Sequence, residues 1–471
     1  MINISARSSR SRTSLWGATG ILILAAVAVP LLAQSGTAGA AKHRLAAADQ
    51  FLKAIYSPIK LRAAGDPREI RYDISCLPPD GNADGPGVCD GGGTVYFKSS
   101  TGVSASVPLQ LDTTAQVGRY VAAVPMSVWS APWFTYYAVI RDNTTGRTIV
   151  MPQGGSTAPQ LSFAMGAQTV DLGTHAFGTT ARPDAQVASA AWGSGDGQVG
   201  LEDGIDMPTG GASFDVDSAG DVYLLDEANQ RMLEFARGAT PAAIPLTGSA
   251  GVKSDLRISD ASGTAYLLES PNALSSKPLL RAYTLDGTAL SSAPVADAAA
   301  AQIKLSGSTA YVSEYPSSVW APVLQSNGQA GVDASSQFAR ATTGAPAPDG
   351  NVIVLANGSE VRVGMYAATA AGYQLATARI TSATPVADVQ LAQKLPSGRI
   401  LLVFSVYTDT DHEYEAVVLS ASGSLVDQFS LPAADWAQSM PLSRFRLVGS
   451  SLYELGSTDA GVFVDRYDLG V

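Results

Sequence analysis

The chain is 471 residues long, more than one ordinary domain needs, and implies two or three. Hydrophobic residues make up 46% and charged residues 15%, which argues against whole-chain disorder, and 46 Gly with 26 Pro supply more turns than a helix bundle uses. A net charge of −11 argues against a nucleic-acid backbone as partner, and three histidines with two cysteines leave little material for a zinc site.

Arg7, Arg10 and Arg12 precede an uncharged apolar run from Leu15 to Ala33. A basic flank followed by an apolar run is an export signal. Ala38-Gly39-Ala40 offers a small-x-small cleavage site, yet the run also approaches the roughly 20 residues that span a bilayer. Residues 1–40 therefore read as a signal peptide or a signal anchor, with both fates open. Removing them takes away three arginines and no acid, leaving 27 basic and 41 acidic residues, a net of −14. That charge suits a self-repelling ectodomain better than a polybasic membrane binder.

Over residues 41–66, Leu45, Ala48, Phe51, Leu52 and Ile55 recur at helical spacing and Pro58 ends the segment, which predicts a linker or stalk helix. Cys76 and Cys89 are separated by twelve Pro- and Gly-rich residues, and outside the cytoplasm they predict a disulfide. The spacing is not the C-x-x-C of redox chemistry.

Residues 67–165 have an apolar pattern of period two in six short runs: Ile70 to Ile74, Thr94 to Phe97, Ala105 to Leu111, Gly118 to Val124, Phe134 to Arg141 and Arg147 to Met151. Such runs, broken by Gly, Pro, Asn and Ser, predict an antiparallel sandwich. Gly93-Thr94-Val95-Tyr96-Phe97, Gly118-Arg119-Tyr120-Val121 and Phe134-Thr135-Tyr136-Tyr137-Ala138-Val139 resemble bacterial fibronectin type III or immunoglobulin-like modules. That resemblance implies a fold and no activity. Within this stretch Asp80, Asn82 and Asp84, followed by Gly85, match the opening of a calcium loop. Gly91 occupies the place of the bidentate glutamate, so possible calcium stands against a polar turn rich in Asp and Asn.

Residues 166–471 carry an internal repeat. A turn glycine precedes a short apolar strand at Gly220, Gly263, Gly307, Gly350, Gly398 and Gly449, spaced by 43, 44, 43, 48 and 51 residues. Four-stranded propeller blades recur at roughly 40–50 residues, so the pattern predicts a six-bladed β-propeller. A third strand follows in each unit, and the chain stops just after the sixth. The missing fourth strand must then come from upstream, from Gln160 to Leu172 or Val187 to Trp192.

In the first unit Trp192-Gly193-Ser194-Gly195, Met207-Pro208, Gly220-Asp221-Val222-Tyr223-Leu224-Leu225-Asp226 and Asn229-Gln230-Arg231-Met232 resemble an NHL repeat. The resemblance implies a propeller and no particular activity. Asp226, Asn229 and Arg231 read as turn and inter-strand pins, with Asn favouring left-handed geometry.

His43, His175 and His412 lack the nucleophile and orienting partner of a triad, and the alternating acids of Asp409 to Glu415 read as a solvated strand face. Two functions remain. One is an exported, non-catalytic binding or scaffold protein whose propeller loops recognise an extracellular protein, peptide or glycan. The other is a hydrolase or lyase of lactonase type with a divalent metal in the central channel, to which Asp215, Asp255 and Asp388 are the candidate inward-pointing acids.

Overall fold

A computed structural model describes residues 51–470 apart from 78–86, 89, 116–117, 203–207, 250, 271–276, 297–299, 315–318, 326, 329–330 and 438–443. Residues 1–40, expected to direct export, Asp80, Asn82 and Asp84, expected as a calcium-like turn, and Cys89 lie outside them. Among the described residues the only helices are Met126–Trp129, Ala334–Gln337 and the 3-10 turn Phe338–Arg340.

The stalk helix is not found in its described part. Phe51–Tyr56 is a strand, paired antiparallel with Glu69–Leu77 from Phe51↔Leu77 to Tyr56↔Tyr72. The partner strand decides against the helical spacing: edge pairing satisfies six residues of backbone, and Ala54 and Tyr56 turn into a core a solitary helix would lack.

Two sheets form the sandwich. One orders Phe51–Tyr56, Glu69–Leu77, Arg119–Ala123 and Gln110–Leu111; the other orders Leu61–Arg62, Gln160–Ala164, Trp133–Asp142, Gly91–Ser99 and Ser104–Pro108. The expected single run Ala105 to Leu111 divides between them: Ser104–Pro108 pairs Gly91–Ser99, the Leu109 amide still bonds the Gly93 carbonyl of that strand, and Gln110–Leu111 crosses to Arg119–Ala123. Ile70, Tyr72, Val95, Phe97, Phe134 and Tyr136 interleave as the shared core.

Among the described residues the rest of the chain forms six meander sheets, here numbered 1 to 6. They span Ser213–Pro245, Val252–Pro294, Ile303–Thr343, Ala345–Thr381, Val386–Pro432 and Phe445–Asp468. In each, the glycine picked out by the repeat lies at the turn between first and second strands with φ between 54° and 141°, the positive range that favours glycine. First strands of successive sheets touch around the ring, except that Val386–Lys394 of sheet 5 meets the second strand of sheet 4, Gly350–Asn357, and Phe445–Val448 of the last sheet meets Ser213–Val216 of the first. Sheet 6 has three strands of its own. Its fourth is Ala185–Ala191, antiparallel to Gly461–Asp468, so an upstream segment closes the ring. This is a β-propeller architecture.

Apolar clusters join sheets 1–2, 2–3, 4–5, 5–6 and 6–1. The face of sheet 4 that turns toward sheet 3 in ring order packs instead on the sandwich. Ile353 and Tyr366 meet Leu61, Leu161 and Phe163. Gly364 permits this, since a Cβ there would stand 2.7 Å from a Leu61 methyl. Around the cluster, Arg362 bridges to Asp66 and donates to the Leu61 carbonyl at 3.1 Å. Thr343 Oγ1 of sheet 3 accepts from Gln160 Nε2 at 2.9 Å and from the Leu161 amide at 3.0 Å. The sandwich is thus a wedge between two sheets of the ring. Burial of three large apolar side chains, each about 1.5–3 kcal/mol, holds it there. Thr343→Val keeps the shape and removes the acceptor, so it should cost about 1–3 kcal/mol in urea unfolding and quicken proteolysis near residue 165. An unchanged midpoint would show that the wedge does not depend on that hydroxyl.

Between the sandwich and that closing strand, residues 166–184 run along the outer rim of the ring. Thr169–Asp171 adds in parallel to Gly372–Thr381 of sheet 4, and the Ala181 amide bonds Ser430 of sheet 5.

Candidate functional site: the centre of the ring

Every first strand except Ala345–Ala347 of sheet 4 carries one or more polar side chains, and those on several sheets converge at the centre. Asp215 of sheet 1 accepts the Ile258 amide of sheet 2 at 2.7 Å, and Asp255 of sheet 2 accepts the Ile303 amide of sheet 3 at 2.8 Å. Two of the three acids expected to point inward therefore do so, but their oxygens serve as inter-sheet staples. Asp388 is exposed and does not join them.

Cations surround the two acids. Arg446 of sheet 6 donates to the Phe214 carbonyl at 2.8 Å, to Ser213 Oγ at 3.0 Å and to Asp255 Oδ1 at 2.9 Å. Arg257 lies 3.7 Å from Asp215 and 3.9 Å from Asp255. Burial drives the Arg446 guanidinium down to about 10 and pushes the Asp215 carboxyl up, against the pull of Arg257 and Arg446.

Beside this network is a cavity of about 380 Å³, walled by Arg257, Ile303, Lys304, Trp320, Val352, Val354, Leu391 and Arg446. Lys60, from the segment leading into the wedge, reaches the same wall. Burial lowers Lys304 to about 7 and Lys60 to about 8, and for Lys304 the charges of Arg257 and Arg446 add to the effect. A second pocket, against the exposed face of the sandwich at Tyr96, Lys98 and Tyr137, is more open and has no charge cluster.

Among the described residues no three His, Cys, Asp or Glu side chains gather as metal ligands. The donor set at the centre, guanidinium and ammonium groups with two committed carboxylates, repels a divalent cation.

The NHL-like residues form a turn pin. Asp226, fully buried, accepts from the Gly200 amide, Asn229 Nδ2 and Arg231 Nε, each at 2.8 Å. Arg231 and Asn229 in turn hold the carbonyls of Gly193, Gly195 and Gln198. The left-handed residue of the turn is Gln230, with φ 57°, and not Asn229.

The acidic strand of sheet 5 is not a solvated face. Glu413 and Glu415 are buried and clasp His175 of the outer connector, with Nε2 2.8 Å from Glu413 and Nδ1 2.7 Å from Glu415. His412 remains half-exposed at the hairpin, 3.7 Å from Asp435. Near it, at the end where second strands turn into third strands, Trp436 is 41% exposed. Its ring lies 5.9 Å from that of Trp192, which is fixed by a bond to the Thr458 carbonyl.

Sequence reasoning missed the central cations. A signal was present: a charge flanked by apolar residues recurs at Phe214-Asp215-Val216, Leu256-Arg257-Ile258, Ile303-Lys304-Leu305 and Phe445-Arg446-Leu447. In a strand buried on both faces, such a charge has nowhere to go but the axis.

No family model and no curated protein sequence matches the chain. Among solved structures, it is similar to virginiamycin B lyase from Staphylococcus aureus at 9% identity, over 54% of this chain and 93% of that one, with a TM-score of 0.32. It is also similar to the PQQ-bound aldose sugar dehydrogenase from Streptomyces coelicolor, at 8% identity over 61% and 98% with a TM-score of 0.33. A third is YCF48 from Cyanidioschyzon merolae, at 11% identity over 55% and 96% with a TM-score of 0.29. Virginiamycin B lyase and YCF48 are β-propeller proteins. Likeness at this level carries no argument about chemistry, and the fold rests on the strand topology.

Proposed function

We propose that the chain is an exported, non-catalytic binding or scaffold protein: a six-bladed, NHL-like propeller with an immunoglobulin- or fibronectin-III-like sandwich wedged into it. Its partner is an extracellular glycan, protein or peptide met by the propeller loops. The observation that carries the reading is the indole pair Trp192 and Trp436, held at the loop end of the ring with one ring open to solvent. Exposed aromatic faces stack on sugar rings and on apolar side chains alike. The lactonase-type alternative is disfavoured by the positive charges at the centre.

Localisation outside the cytoplasm, by secretion or by membrane anchorage through residues 1–40, belongs to the same proposal, as does a Cys76–Cys89 disulfide. In its favour, Cys76 pairs across the ladder with Gly87, two residues from Cys89, and no described cysteine is free. Calcium at Asp80, Asn82 and Asp84 is an added possibility that a calcium titration of the Asp80→Asn variant tests.

Binding of the purified chain to insoluble polysaccharides and to cell-envelope fractions is the direct test. Trp436→Ala should lower retention tenfold or more while leaving the melting temperature within a few degrees. Equal retention by that variant removes the indole pair from the reading. A reporter active only outside the cytoplasm, fused after residue 66, tests export.

A further inference from the structure

We propose that the central cavity is a second, separate site, which binds a small organic carboxylate with an apolar body, anchored by Lys304. Three observations carry it. The first is charge: around the cavity stand Lys60, Arg257, Lys304 and Arg446 against only Asp215 and Asp255, in a chain whose net charge is −11. Both acids are already engaged by Arg446, Arg257 and neighbouring amides.

The second is the state of Lys304. Among the described residues no carboxylate lies within ion-pair distance of it, and its ammonium donates to Gln393 Oε1 at 3.3 Å. Burial and the two arginines lower it to about 7, against the pull of Asp215 and Asp255, so near neutral pH much of it is the free amine, and an anion arriving there supplies the close counter-charge that favours the ammonium.

The third is shape. A volume of about 380 Å³ lies within the range of small-molecule sites, and Ile303, Trp320, Val352 and Leu391 give it an apolar wall opposite the charge. An inorganic oxyanion would leave that wall unused. The segment leading into the wedge adds Lys60 to a wall otherwise built by the ring.

The site stands apart from the indole pair. Trp436→Ala should leave it intact, and a failure to find a macromolecular partner does not bear on it.

The experiment is calorimetry on the whole purified chain with benzoate and hexanoate, against benzamide, phosphate and sulfate at matched ionic strength. Saturable binding of a carboxylate is expected, with no binding of the neutral amide. In buffers of different ionisation enthalpy at pH 7.5 it should take up about 0.5–1 proton per ligand, as the anion raises the lysine back toward its ordinary range. Lys304→Met should weaken binding at least tenfold and abolish the proton uptake that accompanies it. Lys304→Gln serves if the Met variant does not fold. No saturable binding of either carboxylate at millimolar concentration overturns the proposal. So does affinity within twofold of wild type in the lysine variants, or equal affinity for phosphate or sulfate.

Discussion

Arg446→Met is expected to lower the stability of the ring by about 3–5 kcal/mol, the range for removing one partner from a buried ion pair. The guanidinium is 1% exposed and sits on the first strand of sheet 6, yet its bonds go to the Phe214 carbonyl and Ser213 of sheet 1 and to Asp255 of sheet 2. It also lies over the Phe214 ring at 5.4 Å. One side chain therefore spans the seam where the last sheet meets the first. Methionine fills much of the volume but supplies no donor. Asp255 then loses its 2.9 Å partner and keeps a desolvated charge, with Arg257 at 3.9 Å. The double variant Arg446→Met with Asp255→Asn removes both charges and should recover most of the loss, because neutral pairs avoid the desolvation cost. Urea midpoints followed by tryptophan fluorescence measure both. A single-variant loss below about 1 kcal/mol would show that the seam is held by apolar packing alone.

The seam also shows which parts of the architecture can be read from residue order. Turn glycines announce the sheets because a left-handed turn admits little else, and Gly220 through Gly449 do so at nearly constant spacing. The third strands and the need for a closing strand from upstream follow from counting strands, but counting does not choose between Gln160 to Leu172 and Val187 to Trp192; the first goes to the sandwich and the rim of sheet 4, and Ala185–Ala191 closes sheet 6. The wedge is different. Ile353 and Tyr366 alternate with Val352 and Met365 as any two-faced strand would, and nothing in that alternation says whether the neighbour is another sheet or the sandwich. Phe51 to Ile55 has helical spacing, but the segment becomes a strand because Glu69–Leu77 offers an open edge. The central site is intermediate. Its acids were visible as Asp215 and Asp255, whereas Lys304 and Arg446 acquire meaning only once the strands point at a common axis. Lys60 could not be found at all, since its place depends on the wedge.

Glu454→Gln should change the pH dependence of stability more than its value at low pH. Glu454 lies on Ser451–Thr458, directly across the ladder from Asp465, and is 1% exposed. Tyr467 donates to Oε2 at 3.1 Å, while Oε1 has no partner. Burial, reinforced by the charges of Asp465 and Asp435 and opposed by Arg444, pushes the carboxyl up to about 8, and burial raises Asp465 as well. The folded chain thus holds a proton that the unfolded chain releases above its ordinary value of 4.5. The contribution is complete below that value and is lost as the pH climbs toward 8, at about 1.4 kcal/mol per pH unit, after which it levels off. Glutamine is neutral throughout and does not suffer that loss. The variant should therefore be close to wild type near pH 5 and gain steadily on it up to pH 8, by several kcal/mol at most. Because Glu454 and Asp465 titrate against each other, part of the slope belongs to the pair, and removing one charge also eases the other. Urea unfolding of both proteins at pH 5, 6, 7 and 8 gives the difference directly. A gap constant to within about 0.5 kcal/mol across that range would mean that Glu454 is ionised in the folded ring, with Arg444 compensating a charge that burial alone could not hold.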